Sequence, residues 1–338
     1  MHVVLILNPT SGSSMMATNQ NHHGEETEAA ILAALRAQGV EPEVWYTTKL
    51  ESGQELAQQA AERGAGIVIA AGGDGTLHAV ASGLISTKSA LGIIPLGTMN
   101  NIARSLEIPE DIEEACKIIA AGATSQIDVG KINEHIFLEV AGIGLEAALF
   151  PAAEEIKSSG WLSTVHGVIA GLRTLFSFQP TRFYLTFDER RTQRYQAIQI
   201  SICNSPYYGA RLQFAPHAVM NDGLLDVLIY KNFSKLAYLR HAVSISQGRR
   251  ALEPRVMRRK IKKLSIDAAS PVEIHGDGVP IGKTPATITI VPGVLRVRVP
   301  QKTASSPNIA NRERQLTAHY QRAKSNIILK ERDSSHGK

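Results

Sequence analysis

Four short stretches concentrate the residue types that handle phosphate: "NPTSG" (8–12), "GGDGT" (72–76), "PLGTMNNIAR" (95–104) and "HGDG" (275–278). Glycine lets another molecule approach the main chain closely, and amides at the start of a helix favour anions. Gly12, Gly73 and Gly75 offer such amides, while Ser11, Thr76 and Thr98 offer hydroxyls. Any one of these stretches alone reads equally well as a structural turn. The first three, however, each close an apolar run, so their loops converge on one edge of a sheet and make a cradle for a polyphosphate. Neither the Gly-x-x-x-x-Gly-Lys-Ser/Thr loop nor the Gly-x-Gly-x-x-Gly dinucleotide turn builds this cradle.

Strands that end where helices begin are needed to hold it. "HVVLIL", "EPEVWYTT", "GIVIAAGG" and "ALGIIPLG" read as strands, and "EETEAAILAALRAQG", "SGQELAQQAAERGA" and "LHAVASGLI" as helices, the first stopping at Gly39. Alternation at these lengths predicts a parallel sheet covered on both faces, with ligands at the strand ends. Past residue 128 the texture changes to short β-rich runs separated by turn residues, interrupted by helical stretches near 151–176 and 234–248. The expected fold is therefore α/β with two domains. Residues 1–127 form an N-terminal parallel-sheet nucleotide-binding domain, and 128–300 a mostly antiparallel β-sandwich. Residues 308–331 either form a basic helix that returns to the first domain or stay mobile as a tail.

The 338 residues suffice for two cores, and no apolar run approaches the ~20 residues that span a bilayer. Two cysteines, Cys116 and Cys203, and the lack of a basic leader point to a reducing, cytoplasmic setting. Residues 249–263 gather Arg249, Arg250, Arg255, Arg258, Arg259, Lys260, Lys262 and Lys263 against one acid, Glu253. Such a strip suits anionic phospholipid headgroups or is a solvated surface. Aromatics at 5% leave little material for base stacking, which weighs against nucleic acid. Adjacent His22 and His23, without nearby acids or cysteines, read as exposed loop residues rather than metal ligands.

The ordered set of motifs resembles the diacylglycerol kinase catalytic family, which includes sphingosine, ceramide and bacterial lipid kinases and is distantly related to NAD kinases. "VAGIGLEAALF" (140–150), "FAPHAVMNDGLLDV" (214–227) and "DGVPIGKTPATITIVPGVLRVRVP" (277–300) are similar to its second-domain signatures. The resemblance implies ATP as phosphoryl donor, with Mg²⁺, and a lipid acceptor at the membrane surface. It places Asn8, Ser11, Gly12 and Thr47 or Thr48 along the ATP site, Gly72, Gly73, Asp74, Gly75 and Thr76 in a phosphate loop reaching to His78, and Thr98 and Asn100 in a second turn. Asp74 is expected to orient the phosphates or their Mg²⁺, the alternative being a turn-stabilising carboxylate. Asp222, with carbonyls near Val219 and Leu224, resembles the ligand set of a structural divalent ion, although Asp-Gly also makes a plain hairpin turn.

Phosphoryl transfer to an alcohol needs a group that takes the hydroxyl proton, and Asp277 is the candidate. The family's usual Asp-Gly-Glu is here Asp277-Gly278-Val279, so either Asp277 acts alone or activity is weak or absent; His275 is a further candidate or a structural residue. Asn101 replaces another common aspartate. The leading expectation is an ATP-dependent lipid kinase acting on diacylglycerol or a related lipid, peripherally attached to the membrane. A groove from Trp161, Leu162, Leu172, Leu175 and Phe176 would receive the acceptor, unless those residues are core. A kinase of a soluble acceptor and a catalytically silent lipid or nucleotide sensor are the competing readings, and an exposed sheet edge permits a homodimer.

Overall fold

Continuous aliphatic runs build the centre of the first lobe. A computed structural model of the chain describes residues 1–9, 20–48, 51–149, 169–171, 173–209, 213–231, 233–246 and 256–301. Strands β1 (Val3–Leu7), β3 (Ile67–Gly72) and β4 (Ala90–Pro95) are buried at every position, whereas β2 (Glu43–Tyr46) is partly exposed. They pair in parallel in the order β4-β3-β1-β2, and complete burial follows because helices cover both faces. Leu56 and Ala60 of α2 (Gly53–Glu62) and Leu77, Val80 and Leu84 of α3 (Asp74–Leu84) pack on Val4, Ile6 and Val68. On the other face Ile31 and Leu35 of α1 (Gln20–Ala37) join Cys116 and Ile119 of α5 (Ile112–Ala121) over Val3, Leu5 and Ile69. A short α4 (Asn101–Ser105) follows β4.

Two helices differ from the sequence reading. α1 starts earlier, so His22 and His23 lie within its backbone rather than in a loop. α5 was not anticipated, although Asp111 marks its start: its carboxylate accepts a hydrogen bond from the Glu114 amide and satisfies one of the free donors of the first turn. At α2 a capping box, reciprocal between Ser52 and Glu55, fixes the entry of the helix.

The second lobe is built from antiparallel pairs: β5 (Ala123–Ile132), β6 (His135–Phe137), β7 (Val140–Gly144), β8 (Thr181–Phe187), β9 (Gln193–Cys203), β10 (Leu225–Lys231), β11 (Met257–Ile261), β12 (Lys263–Ala268), β13 (Glu273–Gly276), β14 (Val279–Lys283) and β15 (Ala286–Val299). Phe137, Phe183, Ile200, Ile202, Val227, Leu264, Ile274 and Ile288 fill its interior. Helix α6 (Lys235–Ser246) packs on a second cluster through Ala237 and Tyr238, against Leu175, Tyr230 and Phe233. The two lobes share one sheet. β15 pairs with β12 and β5, and its last residues run parallel to β4 through Arg296↔Ala90 and Val297↔Leu91. "ATITIVPG" and "VLRVRVP", separate runs in the sequence, are one strand with a register break between Val291 and Leu295, around Pro292 and left-handed Gly293. The expected boundary at 127/128 falls inside β5.

Among the described residues no helix is long and apolar enough to cross a membrane. Ser11, Gly12, Trp161, Leu162, Leu172, Arg249, Arg250, Arg255 and the tail 308–331 lie outside the described residues.

Candidate active site

The turns after β1, β3 and β4 meet at the C-terminal edge of the parallel strands. Asn8 Nδ2, just past β1, donates to Thr76 Oγ1 in the first turn of α3 at 3.2 Å. The turns after β3 and β4 touch backbone to backbone. A Cβ on Gly97 would lie 2.6 Å from the Gly73 Cα, so only glycine permits this approach. Asn100 holds the second turn: in a left-handed conformation, it accepts from the Gly97 amide at 2.9 Å and donates to the Gly97 carbonyl at 2.7 Å. Thr98 is exposed on that turn. Thr47, at the end of β2, donates its amide to the Leu7 carbonyl, which places it on the same edge.

Helix α3 begins with Gly73 as N-cap and no side chain capping its first amides. Its N-terminus, with Gly75 beside open space, therefore faces the cleft with its partial positive charge uncompensated by a cap. Gly72, by contrast, is hemmed in by Thr76: a Cβ there would lie 2.6 Å from the Thr76 Cβ.

Asp74 does not cap its own helix. Its two carboxylate oxygens accept the amides of Asn101 and Ile102, each at 3.2 Å, and so close the start of α4. Burial raises its pKa above the ordinary carboxylate value. The amides of Ile102 and Asn101 oppose that rise, and the negative charge of Asp277 adds to it. Asp277 Oδ2 lies 3.6 Å from His78, one turn along α3 from Asp74, so an acid of each lobe borders the start of this helix. The remaining lone pairs of Asp74, together with that repulsion, fit a divalent cation bound with phosphate.

Asp277 and Gly278 form the left-handed pair of the β13–β14 hairpin, at φ 48° and 83°, as a type I′ turn requires. The Asp277 carboxylate accepts three amides of the chain leading into β7, from Leu138 (2.6 Å), Glu139 (2.9 Å) and Val140 (3.0 Å). Only 7% of its side chain is exposed, and burial raises its pKa, with His78 and those amides pulling against the rise. His78 Nε2 stands 3.6 Å from Asp277 Oδ2 and 3.4 Å from the Ile136 carbonyl. His78 follows Asp74 by one turn of α3, so the same helix face carries both. Asn101 Nδ2 adds a second tie between the lobes by donating to the Gly209 carbonyl at 3.0 Å.

His275 belongs to the interior rather than to this cleft. Its ring stacks on Tyr208, its Nδ1 lies 3.3 Å from the Tyr208 hydroxyl and its Nε2 3.5 Å from Glu146 Oε1. Glu146 accepts in turn from Gln199 and Ser201, each at 2.6 Å. The Tyr208 hydroxyl is pushed well up in pKa by burial first, then by Glu146, Asp277 and Glu139. Val279 projects into solvent at the end of the hairpin, 60% exposed. Glu146 and Tyr208 were not singled out by sequence reasoning, and His78 entered only as the end of the phosphate loop that the resemblance implies.

The turn carrying Asp222 holds a different cation from the one expected. Lys260 Nζ lies 2.5 Å from Asp222 Oδ2, 3.3 Å from Asp226 Oδ2 and 3.4 Å from the His217 carbonyl. An ammonium thus occupies the oxygen cluster near which Asp222, Val219 and Leu224 were expected to ligate a structural ion, and the residues present do not fit one. Among the described residues, no group of three or more His, Cys, Asp or Glu converges as a metal site. Other charges of the basic strip are also engaged: Arg259 lies 4.6 Å over the Phe187 ring and Lys263 pairs with Glu189 at 2.9 Å.

Comparison with known proteins agrees with this arrangement. Residues 2–132 match the diacylglycerol kinase catalytic domain, and residues 140–299 the YegS C-terminal NAD kinase beta sandwich-like domain. The chain is 28% identical to a diacylglycerol kinase of Bacillus subtilis over 305 residues, covering 89% of this chain and 97% of that protein. It is 30% identical to the probable lipid kinase YegS of Escherichia fergusonii over 293 residues, covering 85% and 96%. A crystal structure of a diacylglycerol kinase from Bacillus anthracis superposes with a TM-score of 0.70 at 25% identity, covering 88% and 96%. Yeast NADH kinase shares the fold alone, at a TM-score of 0.50 and 12% identity over 90% and 84% of the two chains. With both lobes matched in order and the paired acids set between them, the chain belongs to the diacylglycerol kinase family of lipid kinases.

Proposed function

We propose that the protein transfers the γ-phosphoryl group of ATP to the hydroxyl of diacylglycerol or a related lipid at a membrane surface. The observation that carries this reading is the placement of Asp277, from the second lobe, 3.6 Å from His78 in the first turns of α3, whose start is uncapped and carries Asp74. Amides of Gly73, Gly75 and Thr76 and the hydroxyls of Thr76 and Thr98 would hold the phosphate oxygens, with Asn8 and Thr47 at the nucleotide end. Asp74 would ligate Mg²⁺, which neutralises negative oxygens of the donor. The hydroxyl oxygen of the acceptor then forms its bond to phosphorus while the bond to ADP breaks. Its proton passes to the pair formed by Asp277 and His78, which share one edge of the cleft.

Val279 favours a second reading, a sensor that binds nucleotide or lipid without transfer, since an exposed apolar side chain stands where the family usually has glutamate. Incubation with γ-³²P-ATP, Mg²⁺ and mixed lipid vesicles, followed by resolution of the lipids, distinguishes the two. The kinase reading expects label in lipid, reduced about a hundredfold or more in His78→Ala, at the scale of a lost acid–base partner. ATP binding without label in any lipid would instead establish the sensor.

A further inference from the structure

The outer face of α6 is apolar and exposed. Leu236, Leu239 and Val243 are 64%, 39% and 47% exposed. Their i, i+3, i+7 spacing makes them one stripe along the helix. The opposite face, with Ala237 and Tyr238, packs into the cluster of Tyr230, Phe233 and Leu175, so the exposed stripe is not a misassigned core face. A neighbouring helical turn over 173–177 extends the patch. Phe176 there is 53% exposed, and Lys235 Nζ donates to its carbonyl, tying the two helices together.

Charge identifies what covers this face. On a helical projection Lys235 borders the stripe on one side and Arg240 on the other, and Arg173 is exposed beside Phe176. No aspartate or glutamate occurs from Ile156 to Phe187 or from Val227 to Leu252. Apolar side chains rimmed by cations, with acids excluded over both segments, complement an anionic lipid surface. A second protein surface would be served equally well by charges of either sign. A hydrogen-bond chain links the inner face of the same helix to the candidate site. The Tyr238 hydroxyl donates to Gln199 at 2.5 Å, Gln199 donates to Glu146, and Glu146 faces His275, two residues before Asp277.

We infer that the outer face of α6, together with Phe176, is the surface by which the protein docks on an anionic phospholipid bilayer. The docking rests on the lipid-kinase reading for its purpose but not for its measurement. In this arrangement the helix lies in the headgroup plane, with Leu236, Leu239 and Val243 in the acyl boundary and Arg173 and Arg240 on phosphates. The described part of the strip 249–263 contributes less, because Arg259, Lys260 and Lys263 are engaged within the lobe.

The test is flotation of the full chain with vesicles of phosphatidylcholine alone or mixed with phosphatidylglycerol. Binding is expected on the mixed vesicles, weakening with salt, and the double variant Leu236→Asp/Leu239→Asp should lose at least about tenfold in partition with its thermal midpoint retained. Arg240→Glu should reduce only the phosphatidylglycerol-dependent part. Undiminished flotation of the double variant overturns the proposal, as does equal binding of wild type to both vesicle types. A short-chain diacylglycerol in free solution separates this from the kinase reading. Equal labelling of that acceptor by wild type and double variant, with reduced labelling of vesicle-embedded acceptor, supports both. Flotation lost in the variant, with no labelling of any acceptor by wild type, keeps the docking face and removes the kinase.

Discussion

Two Asp-Gly dipeptides, one in a turn at Asp222 and one opening helix α3 at Asp74, are opposite in electrostatics. Asp222 is matched: an ammonium of the same chain sits 2.5 Å from it and reaches Asp226 as well. Asp74 is mismatched, since its described hydrogen-bond partners are neutral main-chain amides and a second acid, Asp277, raises its pKa further. A fold has no structural reason to bring two acids together without a cation between them. On the proposed function, the matched aspartate is architecture and the mismatched one serves a cation or phosphate that arrives from outside. The same dipeptide therefore has to be read from what faces it.

The comparison breaks most readily at Asp74. Asp74→Asn should lower phosphoryl transfer by at least about a hundredfold, the scale of a lost preorganised electrostatic group, while the thermal midpoint stays level or rises. Retained transfer in a folded variant would make Asp74 as architectural as Asp222. The converse holds at Lys260. Lys260→Met should cost about 1.5–3 kcal/mol of stability, because it strands Asp226 in the interior, and millimolar Mg²⁺ or Ca²⁺ should restore part of that loss in the variant while leaving wild type unmoved. Denaturation with and without EDTA measures both, and a wild type that melts earlier in EDTA alone would show that the ammonium does not replace an ion.

The smallest effect is in pH dependence. The raised pKa of Asp74 means the folded state holds its proton more tightly than the unfolded chain. Its contribution to stability is full below the ordinary carboxylate value and is lost as pH rises through the folded value. Transfer needs the ionised form, so activity should rise across the same window, just above the ordinary carboxylate range, in which stability declines. Asp226 and Asp277 are raised too, by burial, and titrate in the same sense, so the difference between wild type and Asp74→Asn cancels Asp226 and reports Asp74 together with its repulsion of Asp277. Parallel stability curves for the two proteins would deny Asp74 its shifted pKa.

Much of this was legible from residue order alone. Apolar runs ending in glycine-rich turns revealed the parallel sheet and the convergence of Asn8, Gly73 and Thr98, because a parallel strand buried on both faces leaves a continuous signature. That the second domain supplies Asp277 to the same chemistry was also an expectation from the resemblance. What escaped notice was set by pairing across long sequence distances. Lys260 reaches Asp222 only because β11 pairs with β10, and a run of basic residues does not reveal that register. Likewise His275 looked eligible for catalysis beside Asp277, yet strand alternation turns it onto Tyr208 and Glu146. The amide ligands of Asp277 come from about 140 residues upstream, through a strand pairing that no local pattern encodes.

Strand β15 has a mechanical consequence. A polypeptide that crosses from one lobe to the other inside a common hydrogen-bonded layer leaves no slack tether on which the lobes could swing apart. Any breathing of the cleft has to be taken up as torsion of that layer, concentrated where Pro292 and Gly293 interrupt the ladder, and the same spine that joins the two halves keeps Asp277 beside His78 of α3.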